Sequence, residues 1–272
     1  MDIGNIISAV CVVGGTGLIF GILLAIASYV FAVKKDERAE KILTVLPGAN
    51  CGSCGYAGCS AYAEAVAEGE APVNGCTVGK TAAAEKIAAI MGVQSEAVEE
   101  VCARVMCGGD RGSALYKFEY TGILDCAAAS KFAGGAKSCM SGCLGLGSCQ
   151  AACPFDAIHI ENGVASVDEN KCMACGKCVK ACPKSLIKLV PKKSKVWVLC
   201  SNPETGKYVN QYCKKGCIGC RLCEKACAFD AVHVIDNHAV IDYKKCKNCG
   251  ACARRCPRGV IHLPERKPEA AE

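Results

Sequence analysis

Aromatic side chains are scarce, at 6% of 272 residues with a single tryptophan. Large rings supply much of the burial in ordinary cores, so a chain this poor in them needs another source of cohesion. Charge is missing altogether from Ile3 to Val33, a run longer than the roughly 20 residues that cross a bilayer as a helix. Only Met1-Asp2 precedes that run, with no basic residue. Its length also exceeds the ~7–15 apolar residues of a signal-peptide core, so Ala25-Ile26-Ala27 is not read as a cleavage site. Neither a G-x-G-x-x-G fingerprint nor a phosphate loop occurs, which leaves nucleotide binding to other chains. No general-base or nucleophile motif is recognisable. The histidines number four, and His159 and His233 sit at equivalent points of a repeat, where they read as surface strand residues.

Cysteine is what the chain has in quantity, 26 in all. Disulfide frameworks do not call for runs at C-x2-C-x2-C, so metal or cluster ligation is the reading that fits. The N-terminus agrees on compartment. Lys34, Lys35 and Arg38 follow the apolar run directly, and clustered positive charge marks the cytoplasmic side, where thiolates stay reduced. The expectation is therefore a single-pass inner-membrane protein with its bulk in the cytoplasm. Gly17-Leu18-Ile19-Phe20-Gly21 would admit a second helix at close range, or simply reflects how common glycine is in membrane helices. Cys11, inside the run, reads as a small apolar residue.

The first cysteine group is "CGSCGYAGC" with Cys76, which places Cys51, Cys54, Cys59 and Cys76 in one short module. Gly52, Gly55 and Gly58 between them let the backbone fold round a metal centre and aim amides at its sulfurs. Zinc sites with four cysteines usually pair two C-x2-C knuckles, so the asymmetric spacing favours an iron–sulfur cluster. The alanine-rich stretches 60–70 and 81–91 read as helices packed over this loop.

The second half repeats itself. A shift of 74 residues lays "CPFDAIHI" (153–160) on "CAFDAVHV" (227–234), and "CMACGKCVKACP" (172–183) on "CKNCGACARRCP" (246–257). In each repeat a short strand, 157–160 or 231–234, turns back on a second one, and Asn162-Gly163 is a strong hairpin signal. The spacing is that of bacterial two-cluster ferredoxins, in which the cysteine before proline crosses to the other cluster. Cys172, Cys175 and Cys178 should then share a cluster with Cys153, while Cys182 serves the preceding run. In the second repeat Cys246, Cys249 and Cys252 should share one with Cys227, and Cys217, Cys220 and Cys223 one with Cys256. Ala228 replaces the proline there, a small departure.

The first run of the first repeat is irregular. Cys143 and Cys149 align with Cys217 and Cys223, but Leu146 falls where Cys220 stands. Cys139 is the expected substitute, which leaves its counterpart Cys213 without a cluster. The same shift lays Cys126 on Cys200, so the repeat is expected to begin near residue 126. Cys102, Cys107, Cys126, Cys200 and Cys213 keep no assigned role. Five [4Fe-4S] clusters are thus expected, and Cys102, Cys107 and Cys126 with Cys139 are candidates for a sixth.

The assembled pattern resembles the family of Rnf complex B subunits, in the longer form with two ferredoxin-like units. The resemblance is carried by the uncharged anchor, "CGSCGYAGCSAYAEA", "VMCGGD", "CLGLGSC", "CPFDAI" and the ferredoxin runs. It implies an electron-transfer subunit of a membrane-bound ferredoxin:NAD+ oxidoreductase that couples electron flow to Na+ or H+ transport. Reduced ferredoxin, membrane lipid and the other membrane and cytoplasmic subunits would be its partners, with no nucleic acid. An α+β architecture follows: anchor 1–34, four-cysteine module 35–100, linker 101–125, two-cluster units 126–195 and 196–264, and tail 265–272. From Lys171 to Lys195 there are eight lysines and no acid, with Arg254, Arg255 and Arg258 at equivalent places in the second repeat. This is either a solvated basic face or a docking face for an acidic donor. Two other functions remain open, a membrane-tethered polyferredoxin serving a hydrogenase or quinone reductase, and a zinc-binding interaction module.

Overall fold

The computed structural model describes residues 3–30, 36–94 and 99–263. Lys34, Lys35 and the expected tail lie outside them.

Helix α1, Ile3–Val30, is apolar, and over Cys11–Ser28 none of it is buried. It is long and apolar enough to cross a membrane. Helix α2, Glu37–Val45, starts at Asp36, whose carboxylate accepts from the Arg38 backbone N–H at 2.8 Å. It packs on α3, Cys59–Ala67, and α4, Lys80–Met91, over a core of Ile42, Tyr62, Val66 and Ile87. Buried alanines on α3 (Ala63, Ala65, Ala67) and on α4 (Ala83) let both helices lie against α2 without large side chains.

Strand β1, Val101–Val105, opens the next unit, followed by α5, Cys126–Lys131, and α6, Ser148–Ala151. The hairpin comes next, β2 (Ile158–Glu161) on β3 (Val164–Val167), with Asn162 and Gly163 at φ 47° and 78°. Positive φ at both central residues is what a two-residue hairpin of this twist requires. Then come α7, Lys177–Ala181, and β4, Ile187–Pro191. The second unit runs β5 (Trp197–Val198), α8 (Gly206–Tyr212), α9 (Leu222–Lys225), β6 (Val232–Ile235), β7 (His238–Ile241), α10 (Ala251–Arg255) and β8 (Ile261–His262).

The strand pairs correct the expected start of the repeat. β1 lies antiparallel on β4 with Val105 opposite Ile187, and β5 lies on β8 with Val198 opposite Ile261. Ile187 and Ile261 are repeat partners, so Val105 matches Val198, and Cys107, two residues on, matches Cys200. Cys126 is not the counterpart of Cys200. The segment expected to be a linker therefore begins with a strand of the first unit's sheet. Its remainder ties the units together: Leu115 N–H donates to Tyr212 O at 2.8 Å and Lys214 N–H to Ser113 O at 2.7 Å. Lys215 also pairs with Asp110 at 2.6 Å, and that contact, with the Ser113 hydroxyl, holds the Asp110 carboxyl down at about 2.

Candidate metal centres

Each hairpin and each short helix after a cysteine run brings thiols from separate segments to one hollow. Cys51, Cys54, Cys59 and Cys76 line the first. Asn50 Oδ1 accepts from the Cys59 N–H at 2.8 Å and fixes the turn. Gly79 passes so close that a Cβ there would meet Ala83 Cβ at 2.4 Å, and its N–H reaches Cys76 Sγ at 3.3 Å. Beneath them Tyr62 donates to Pro72 O at 2.7 Å and accepts from the Gly75 N–H at 3.0 Å, which clips the loop carrying Cys76.

Cys178 is surrounded by Cys172, Cys175 and Cys153, and Cys252 by Cys246, Cys227 and Cys249. Cys217, Cys220, Cys223 and Cys256 line a further hollow. The structure brings together the crossing cysteines that the spacing pointed to: Cys153 and Cys182 in the first unit, Cys227 and Cys256 in the second. Amides point at the same sulfurs, from Ala157 to Cys153 at 3.4 Å, Leu186 to Cys182 at 3.5 Å and Ala231 to Cys227 at 3.3 Å.

Cys139 is placed differently from the expectation. The hollow with Cys143, Cys149 and Cys182 is completed by Cys126. Asp125 caps α5 through the Ala128 N–H at 2.7 Å and accepts the Ser148 hydroxyl at 2.8 Å, while that hydroxyl accepts from the Cys126 N–H at 2.7 Å. These bonds join the start of α5 to α6 and bring Cys126 beside Cys149. Cys139 instead lines a hollow between the two units with Cys107, Cys200 and Cys213. Cys102 and Cys126 do not join that set. Spacing alone could not reveal it, because its four thiols come from four separate segments, two from each repeat. Six sets of four result, and of the 26 cysteines only Cys11 and Cys102 stand outside them.

Among the described residues no three His, Cys, Asp or Glu side chains converge closely enough to hold a single ion. The thiols line the walls of hollows rather than meeting at a point, and this fits a bulky inorganic group better than one zinc. Burial pushes the thiols up, to about 12 for Cys139 and Cys149 and about 11 for Cys178, Cys200, Cys223 and Cys252. Only bound metal would hold such sites as thiolates. Around the inter-unit hollow the compensating charge is in place. Lys137 is 1% exposed and donates to two carbonyls, Gly109 O at 2.6 Å and Gly163 O at 3.0 Å, with no carboxylate partner among the described residues. A buried ammonium without an anion is costly, and an all-thiolate cluster supplies one. Arg258 donates to the Cys213 carbonyl oxygen, and to Gly216 O at 3.4 Å. It is thus spent internally and not free for the expected basic face.

Comparison with known proteins finds iron–sulfur families along the chain. Residues 46–78 match the family described as "Putative Fe-S cluster", and 136–183, 171–231 and 216–261 match families described as "4Fe-4S dicluster domain". The chain is 46% identical to the B subunit of the Na(+)-translocating ferredoxin:NAD(+) oxidoreductase complex of Acetobacterium woodii, over 94% of this chain and 77% of that one. It is 40% identical to the B subunit of the ion-translocating oxidoreductase complex of Methanosarcina acetivorans, over 95% and 98%. Against the B subunit of the proton-translocating ferredoxin:NAD(+) oxidoreductase complex of Clostridium ljungdahlii it is 43% identical, over 90% and 88%. With its thiol sets in place and these likenesses running almost end to end, the chain belongs to the B-subunit family of ion-translocating Rnf oxidoreductase complexes.

Proposed function

We propose that this chain carries electrons, one at a time, from reduced ferredoxin into a membrane complex that couples ferredoxin:NAD+ oxidoreduction to Na+ or H+ transport. The observation that carries the reading is the continuity of the thiol sets. Burial first, and then the charge of the nearby Cys51 thiol, push the Cys175 thiol up, so the N-terminal module faces the Cys153/172/175/178 set. The Cys143 N–H donates to Cys107 Sγ at 3.4 Å, and Cys200 neighbours Cys217. The inter-unit set thus lies between the two tandem ferredoxin-like units, and the first of these takes in β1. Six [4Fe-4S] clusters would fill the sets and supply one-electron chemistry across a wide range of potentials. The chain's residues fix the spacing, shield most of the thiols from water while leaving Cys220 and Cys249 exposed, and direct amides at the sulfurs. All-cysteine ligation leaves no open coordination position, so the role is transfer and not bond chemistry.

Helix α1 would hold the chain in the membrane with its thiol sets on the cytoplasmic side. Iron analysis tests the count: about 24 iron atoms per chain are expected from six four-iron centres, with brown absorption that dithionite bleaches. A colourless, zinc-loaded protein would overturn the reading. Reduction by ferredoxin without delivery to NAD+ through the complex would leave a tethered polyferredoxin serving another enzyme.

A further inference from the structure

The inter-unit hollow is built as a pseudo-two-fold pair. Because Val105 and Val198 are matched through their partners Ile187 and Ile261, Cys107 corresponds to Cys200, Gly108 to Ser201 and Gly109 to Asn202. The two segments bond across the joint, the Gly108 N–H to Leu199 O at 2.9 Å and the Ser201 hydroxyl to Met106 O at 3.4 Å. Cys139 and Cys213 complete the set, one from each unit. Each of these two thiols faces the other unit's segment. A Cβ at Gly109 would lie 3.5 Å from Cys213 Sγ, and Asn202 Nδ2 donates to Cys139 Sγ at 3.5 Å.

Asn202 breaks the symmetry. Gly109 offers Cys213 no side chain, whereas the Asn202 amide is 3% exposed and held by Glu204 and Tyr212. Its Oδ1 accepts from the Glu204 N–H at 3.0 Å. One amide hydrogen serves Tyr212 Oη at 2.6 Å, with Glu204 Oε2 at 3.5 Å, and Tyr212 itself donates to that carboxylate. The other is left for Cys139. Among the described residues this is the one side-chain N–H within bonding distance of a cysteine sulfur, the remaining N–H donors to sulfur being backbone amides.

We propose that Asn202 is a positioning residue that raises the reduction potential of the Cys107/139/200/213 centre by donating to Cys139. The inference rests on the reading of these thiols as iron–sulfur ligands. Reduction adds one electron to the centre and no proton, and no hydrogen leaves the amide. The added negative charge spreads onto the sulfurs, so the bond from Asn202 strengthens in the reduced state and favours it. Burial of the amide keeps water from competing for the same sulfur, and the low local dielectric adds to the effect. An electron is thus held more readily at the joint, through a contact that neither unit makes alone, since Asn202 belongs to the second unit and Cys139 to the first.

Potentiometric EPR titration of the full-length chain tests this, with the inter-unit signal identified as the one that Cys139→Ser abolishes. In Asn202→Ala that signal should titrate at lower potential, with the electron-exchange constant changed on the order of tenfold, about 59 mV for a one-electron couple. Asn202→Asp keeps the acceptor for the Glu204 N–H but turns a carboxylate to the sulfur. At about pH 8.5, far above the usual ~3.9 of that group, it should shift the signal further in the same direction. A purely structural role would reverse that order, because Asn202→Asp preserves the turn that Asn202→Ala loses. Should Asn202→Ala lose iron, the shift of Asn202→Asp against the unaltered protein decides. Full iron content with unshifted midpoints in both variants, or a smaller shift in Asn202→Asp than in Asn202→Ala, would overturn the proposal. So would loss of this centre's iron from both, by making Asn202 a packing residue. Absence of the inter-unit signal from the unaltered protein would instead remove the reading on which the proposal rests.

Discussion

Cys126 lines one hollow and Cys139 and Cys213 another, so serine at these positions separates the two. Cys126→Ser should remove or convert the centre of Cys143, Cys149 and Cys182. Cys139→Ser and Cys213→Ser should each remove the inter-unit centre, and the double variant should lose no more iron than either alone, because both thiols line one hollow. Iron analysis with EPR spin counting of the reduced protein checks all four. Spin loss from Cys139→Ser alone, with Cys126→Ser and Cys213→Ser intact, would restore the alignment at a shift of 74. At the same scale, Tyr62→Phe leaves Pro72 O and the Gly75 N–H without their buried partner. Losing that hydroxyl should cost about 1–3 kcal/mol, read by chemical denaturation. The Cys51 module should release its iron first, since Tyr62 clips the loop that bears Cys76.

Among the elements, α1 and β1 differ most in what their removal would do. Over Cys11–Ser28 no residue of α1 is buried, so this span adds nothing to the folded core. A chain beginning near Asp36 should stay soluble, brown and fully loaded with iron, and iron lost along with the helix would count against α1 as a separate anchor. β1 has the opposite standing. It packs Ala103 and Val105 into the core of the first unit, with Cys149, Ile158 and Ile187. Its position was not legible beforehand, because a five-residue strand at the start of an expected linker carries no periodic signal of its own. The hairpins were legible, since Asn162-Gly163 dictates its turn locally. Helices α3 and α4 were also readable within a few residues, because alanine-rich composition favours helix wherever it packs.

For the whole molecule the outward-facing charge decides encounter. Three of the eight lysines from Lys171 to Lys195 are already paired: Lys171 with Asp156, Lys192 with Glu100 and Lys193 with Glu99. Among the described residues no carboxylate lies within 4.0 Å of Lys177 or Lys180 on α7. Both lysines stand beside the cysteines of the Cys172 run. The double variant Lys177→Glu, Lys180→Glu should slow reduction by ferredoxin several-fold at low salt. Stopped-flow rates should converge with the unaltered protein as salt shortens the screening length to ~8 Å near 0.15 M. Rates indifferent to both charge and salt would place the docking face elsewhere.

Ligand sets confined to short runs were determined by the sequence, because a C-x2-C-x2-C loop can close on one centre without help from the rest of the fold. The same holds for the crossing cysteines, whose distance along the chain is set by one hairpin. The apolar helix follows from composition alone. Tertiary structure decided the partners of Cys107, Cys126, Cys139, Cys200 and Cys213. The segment between β1 and α5 is much longer in the first repeat than its counterpart after β5, so no single shift aligns Cys107 with Cys200 and Cys139 with Cys213 together. The antiparallel pairing of β1 on β4 and β5 on β8 brings Cys107 and Cys200 to the joint between the units, and the bridge of Ala114 to Cys213 brings Cys213 there. The buried charge of Lys137 there has no carboxylate to answer it among the described residues, and that need for an anion comes from the packing of the two units.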